Sequence, residues 1–156
     1  MNNEKPSPIT PTTESSPRSP RAQSAALKKQ SGRYNCTESV LCSYAPELHC
    51  DESELRPAAL AFAAGMGTME GTCGALVGAG MVLGMLTRDR ATAMRGMKQL
   101  MTDFKARNSA TTCRLLKGIG TGCPLRACPD CVADAVELLD SYLETLPTTS
   151  PDEPKP

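Results

Sequence analysis

The residues in this sequence best suited to chemistry are its cysteines. Eight occur in 156 residues, at Cys36, Cys42, Cys50, Cys73, Cys113, Cys123, Cys128 and Cys131, against a single histidine, His49. Four of them directly follow residue types that favour helix N-caps: Asn35-Cys36, Thr72-Cys73, Thr112-Cys113 and Asp130-Cys131. A thiol at a helix start meets free backbone N–H groups and the positive end of the helix dipole, which favour the thiolate. The thiolate is the form that attacks a disulfide or ligates a metal. A small buried hydrophobe is the competing role for any one of these residues, and four such placements weigh against it. Cys128-Pro-Asp-Cys131 adds a CxxC at a helix opening, where one thiol attacks and the other resolves the mixed disulfide. Cys128 and Cys131 are therefore the redox candidates.

Several familiar cysteine sites do not fit. Cys123, Cys128 and Cys131 reproduce the C-x4-C-x2-C run of plant-type ferredoxins, but no fourth cysteine follows. A structural zinc site usually has two close ligand pairs, whereas only one CxxC is present and His49 stands beside Cys50. Haem attachment requires a histidine where Val132 stands. The thioredoxin fold is rejected because no strand precedes the CxxC. The glycine-rich stretch Gly65 to Gly78 also lacks a preceding strand and a Lys-Ser or Lys-Thr, so it is no phosphate loop.

The elements that must position these thiols read as helices. Asn35 caps a short helix through Val40, Leu41 and Tyr44, stopped by Pro46. Asp51 or Ser53 caps the next, with Pro57 in its first turn, running through Leu60 and Phe62 to Gly65. A further helix spans Cys73 to Leu86, in which Gly74 and Gly78, then Gly80 and Gly84, leave one face without bulky side chains. That face permits close helix packing or room for a prosthetic group beside Cys73. From Arg90 to Arg107, Met94, Met97, Leu100, Met101 and Phe104 recur at helical spacing. A short helix follows over Cys113–Lys117, and the last runs from Cys131 to Leu146. No stretch alternates as a strand would. The expected fold is all-α, a compact bundle of five or six short helices.

Composition sets the limits of that domain. Residues 1–32 are rich in Pro, Ser and Thr and nearly free of large apolar side chains, as are residues 147–156, so both read as disordered tails around a folded part at 33–146. Arg18, Arg21, Lys28, Lys29 and Arg33 read as a solvated arm. Seventeen basic residues balance seventeen acidic ones, which gives no basic face for nucleic acid. The longest apolar run, Cys73 to Leu86, falls short of the about twenty residues of a membrane span. With no apolar stretch behind the N-terminal charges, the expected location is cytoplasmic, where thiols serve metals or redox chemistry rather than structural disulfides.

Cys73-Gly74-Ala75-Leu76-Val77-Gly78 resembles the CGAxxG motif of the C_GCAxxG_C_C family of redox-active cysteine proteins. Asn35-Cys36 with Ser39-Val40-Leu41 looks like that family's first cysteine motif, Thr112-Cys113-Arg114-Leu115-Leu116 like its third, and Cys128 or Cys131 before Val132 like its fourth. The resemblance covers Tyr34 to Leu143 and implies a small helical domain built around four cysteines, similar to domains linked to iron–sulfur clusters. On that basis Cys36, Cys73, Cys113 and Cys128, with Cys131 as the alternative, are the expected ligands of a cluster or other metal. Gly74 and Gly78 would leave space for it. Cys42, Cys50 and Cys123 stand outside the four motifs.

Three functions follow as expectations. The first is electron transfer through an iron–sulfur cluster, with a redox partner protein that the sequence does not identify. The second is a thiol-disulfide oxidoreductase using Cys128 and Cys131. The third is a soft-metal binding or helical interaction module, for which Met94, Met97 and Met101 would be the additional donors. A homodimer through the small-residue face is compatible with the pattern.

Overall fold

The structure, a computed structural model, describes residues 17–147. Its elements are α1 (Pro20–Gln30), α2 (Cys36–Leu41), a 3-10 turn (Cys42–Tyr44), α3 (Ala45–Leu48), α4 (Glu52–Ala59), an irregular turn (Gly65–Met69), α5 (Gly74–Thr87), α6 (Arg90–Asn108), α7 (Cys113–Leu116) and α8 (Cys128–Glu144). The all-α expectation agrees with this architecture, although eight α-helices replace the five or six expected. None is long and apolar enough to cross a membrane among the described residues.

α5 lies at the centre, packed against α2, α6 and α8, while α1 lies along α8. Leu41, Tyr44, Leu76, Leu83, Leu100, Phe104, Val136 and Leu139 fill the core. α2 starts as its sequence dictates. The Asn35 side chain accepts from the Glu38 N–H at 2.8 Å, and Glu38 Oε2 accepts from the Asn35 N–H at 2.6 Å. Pro46 does not stop a helix but occupies the first turn of α3, where a missing N–H costs nothing. Pro57 lies inside α4, which ends at Ala59 and leaves Leu60 and Phe62 exposed. On α6 the expected stripe is buried at Leu100 and Phe104, whereas Met94 faces solvent.

α1 corrects the expected N-terminal tail. Residues 17–32 are structured, and only residues 1–16 and 148–156 lie outside the described residues. Ser19 caps α1, Pro20 opens it, and Ala22 and Ala25 are fully buried. The apolar face is made of alanines, so a count of large hydrophobes does not register it. Arg18, Arg21 and Lys28 are not part of a solvated arm either, whereas Arg33 is exposed. Arg21 pairs with Asp140 at 2.8 Å and with Glu47, and Lys28 pairs with Glu52. Arg18 reaches Asp134 at 3.0 Å.

Asp134, only 2% exposed, gathers three arginines: Arg126 at 2.9 Å, Arg18 at 3.0 Å and Arg107 at 3.5 Å. Burial pushes its carboxyl pKa up, but the bonds from Arg126 and Arg18 outweigh this and hold it below the usual range. With a folded pKa below the unfolded value of about 3.9, the stabilisation is present above that pH and is lost as pH falls through the folded value. Asp134→Asn is expected to destabilise the protein at pH 7 by about 2–3 kcal/mol, somewhat less than for a fully enclosed pair. Urea denaturation across pH should show the gap to wild type narrowing below about pH 4.

The small-residue face of α5 is used for packing. A Cβ at Gly78 would meet the Thr37 carbonyl oxygen at 2.7 Å and Val40 Cβ at 3.0 Å, whereas one at Gly84 would meet nothing within 4 Å. Gly78→Ala should therefore cost about 1–3 kcal/mol through overpacking. Gly84→Ala should be stabilising by about 0.5–1 kcal/mol, as expected for alanine in a helix interior. Thermal or urea unfolding of the two variants checks both.

Candidate thiol site

Five cysteines line one cavity of about 140 Å³: Cys36, Cys73, Cys113, Cys128 and Cys131. Each is delivered by the local structure of its own segment. Cys36 is the first residue of α2, behind the Asn35 cap. Cys73 is itself the N-cap of α5. Cys113 opens α7. A backbone bridge between Thr72 and Thr112 joins the last two segments. The Cys73 N–H donates to the Thr111 carbonyl at 2.8 Å, and the Cys113 N–H donates to the Gly71 carbonyl at 3.0 Å. Gly65, at φ +57°, lies against this bridge, and a Cβ there would come within 2.8 Å of Cys113 Cβ.

The last helix begins three residues earlier than its sequence pattern indicates. Ala127 is its N-cap, so Cys128 rather than Cys131 is the first residue. Cys131 lies one turn in, buried, with its N–H donating to the Ala127 carbonyl at 2.9 Å. Pro129 near the start has no N–H to lose in that first turn, which allows the extension. Both cysteines of the CxxC reach the cavity.

Gly74 lines the cavity, but its missing side chain makes room for α2. A Cβ there would fall on Cys36 Sγ and lie 2.8 Å from Thr37 Oγ1. Thr37 Oγ1 lies within hydrogen-bond reach of the Gly74 carbonyl, at 2.9 Å, and of the Phe62 carbonyl. Gly78 faces Thr37 and Val40 and does not line the cavity. Cys42, Cys50 and Cys123 also stand apart from it. Cys42 is buried near Glu52, and burial foremost pushes its pKa up to about 11. The Cys50 thiol donates to the Leu48 carbonyl at 3.3 Å, and Cys123 is exposed.

The thiols are not equally disposed to ionise. Helix starts were expected to favour the thiolate at each, yet burial raises Cys36 and Cys113 despite the Ala64 N–H beside the first and Lys117 beside the second. Cys73 differs. A hydrogen bond from Cys131 lowers its pKa and outweighs burial, helped by the N–H groups of Ala75 and Leu76 and by Lys117. The same hydrogen bond, then burial and the Cys73 charge, drives Cys131 up. Of this pair Cys73 is the sulfur that ionises more readily and Cys131 the one that keeps its proton, the order of an attacking sulfur and a proton-bearing partner.

Lys29, Lys117 and Arg126 also line the cavity, and among the described residues no carboxylate does. The motif spacings gave no direct sign of these cations. Lys117 follows the third cysteine motif, Arg126 lies two residues before Cys128, and Lys29 is on the helix read as a tail.

The fold and site together define a small all-α domain with a buried thiol centre. The chain belongs to the family described as "Putative redox-active protein (C_GCAxxG_C_C)", which matches residues 34–142. No curated protein and no solved structure matches the chain significantly.

Cys73 should be alkylated faster at pH 7 than Cys36 or Cys113, because its pKa is lowered while burial raises theirs. Cys131→Ala removes the donor, so the Cys73 pKa should rise and its rate at pH 7 fall. The pH dependence of alkylation, resolved residue by residue by mass spectrometry, measures both.

Proposed function

We propose that this redox-family protein transfers electrons through an iron–sulfur cluster held by its cavity cysteines. The observation that supports this is the number of sulfurs sharing one void. Thiol-disulfide exchange needs two, whereas Cys36, Cys73, Cys113, Cys128 and Cys131 all line it. A protein-bound cluster commonly uses four thiolates. A single ion suits the site less well, because among the described residues no three Cys, His, Asp or Glu side chains are grouped to hold one. The methionine stripe does not supply donors, since Met94, Met97 and Met101 are absent from the cavity wall.

In this reading Cys36, Cys73, Cys113 and Cys128 are the ligands, with Cys131 as the alternative fourth. The cluster, when bound, supplies one-electron chemistry whose potential depends on hydrogen bonding and burial. The chain prepares the site for it. The N–H groups of Ala75 and Leu76 favour Cys73 as thiolate, and Lys117 reduces the cost of negative charge at Cys73 and Cys113. Leu116, Ala63 and Ala64 provide apolar wall that limits water.

A second reading rests on Cys73 and Cys131 lining the same cavity, with Cys131 the first cause that lowers the Cys73 pKa. It makes the chain a thiol-disulfide oxidoreductase in which Cys73 attacks and Cys131 resolves, in place of the Cys128/Cys131 pair suggested by the CxxC.

Anaerobic purification followed by visible spectroscopy and assays of iron and acid-labile sulfide separates the two. The cluster reading expects a coloured protein that loses iron and sulfide on Cys36→Ser, Cys73→Ser or Cys113→Ser and keeps them on Cys123→Ser. A colourless, metal-free protein with all eight thiols titratable overturns it. The dithiol reading then expects reduction of a disulfide substrate, abolished by Cys73→Ser and retained in Cys128→Ser.

A further inference from the structure

Five large apolar side chains are exposed on the segments that form the cavity wall: Phe62, Met66, Leu115, Ile119 and Leu125, from 41% to 48% exposed. They are five of the nine exposed large hydrophobics among the described residues, so exposed apolar surface is concentrated there rather than scattered. Phe62 precedes the wall residues Ala63 and Ala64, Leu115 precedes Leu116 and Lys117, and Leu125 precedes Arg126. Backbone and ionic contacts hold these segments together. The N–H groups of Leu125 and Arg126 donate to the Leu116 carbonyl at 2.9 and 3.3 Å. Arg114 pairs with Glu70 at 2.8 Å, and Gly65 lies against Cys113, which ties the turn carrying Met66 to α7.

The charge at this face is one-sided. Lys29 and Lys117 line the cavity and have no ion-pair partner among the described residues. The acids near them are engaged: Glu70 by Arg114, Asp130 by Arg18 at 3.2 Å and Asp134 by Arg126 at 2.9 Å. A second copy of this chain on the same face would set lysine against lysine, whereas an acidic surface meets them with opposite charge. We propose that this face docks an electron-transfer protein that presents an apolar patch ringed by carboxylates. The inference rests on the electron-transfer reading and names the class of partner that would serve that cavity. The apolar side chains supply the buried centre of the contact, and the two lysines orient the partner so that its redox centre faces the sulfurs. An apolar centre with polar surroundings is the usual anatomy of a protein contact, and opposite charge speeds the encounter.

The test is isothermal titration calorimetry of the anaerobically purified full-length protein against three carriers at low salt. Two are acidic, a plant-type ferredoxin and a flavodoxin, and one is basic, cytochrome c. At least one acidic carrier is expected to bind and cytochrome c is not, with affinity falling as salt is raised. Leu115→Gln/Leu125→Gln should weaken binding about fivefold or more, as loss of a central contact does. Lys29→Gln/Lys117→Gln should weaken it at low salt and flatten its salt dependence. Met94→Gln, an exposed change on α6 outside the cavity wall, should leave it unchanged. The visible spectrum and thermal unfolding of the leucine variant should match wild type, which separates docking from folding. Equal binding of cytochrome c, failure of both acidic carriers to bind, or binding that the leucine variant leaves intact overturns the inference. So does a wild-type dimer that this variant dissociates, or attachment to phosphatidylserine vesicles in place of the carriers, since each seats a different occupant on the face. In all these cases a coloured, iron-containing protein keeps the electron-transfer reading standing. A colourless, metal-free protein overturns that reading and the inference with it.

Discussion

The contact on which the site depends is the approach of α2 to α5 across Gly74 and Gly78. Cβ atoms at these positions would collide with Cys36, Thr37 and Val40, so any side chain would push α2 outward. Cys36 opens α2 and Cys73 caps α5, so the spacing of the two helices sets the spacing of the two sulfurs. Thr37 fixes the same contact through the Gly74 carbonyl. The Thr72–Thr112 bridge adds Cys113 from the other side. Packing of the core and assembly of the thiol centre are thus one event, and a change that loosens one will loosen the other.

Electrostatics within the cavity is a contest between burial and donors. Helix starts alone do not lower the thiol pKa here, because burial outweighs the Ala64 N–H beside Cys36 and Lys117 beside Cys113. Cys73 is lowered, and it has both the N-terminal N–H groups of α5 and a thiol donor. That asymmetry distinguishes one sulfur among five chemically identical groups. Lys29 acts on Cys36 and Lys117 on Cys73 and Cys113.

α1 joins this centre to the rest of the fold. Its buried alanines let it lie along α8, and Arg18 meets Arg126 and Arg107 at the Asp134 carboxylate. Arg126 lines the cavity while Lys29 enters it from the other end of α1. The segment before the family match at residue 34 therefore contributes both stability and charge to the thiol site.

The sequence by itself determined the helices and much of the site. The Asn35 cap, the stripe through Leu100 and Phe104 and the absence of alternating segments are local patterns, and each cysteine motif is contiguous, so the four ordered motifs were legible without coordinates. Tertiary structure decided what local pattern cannot express. Alanine reads as neutral until a partner helix buries it, so α1 was legible only as a tail. The start of α8 at Cys128 rather than Cys131 was settled by the cap at Ala127, which has no side-chain signal to mark it. The lowering of the Cys73 pKa by Cys131 arises from a contact between residues far apart along the chain, and no spacing rule encodes that nearness in space.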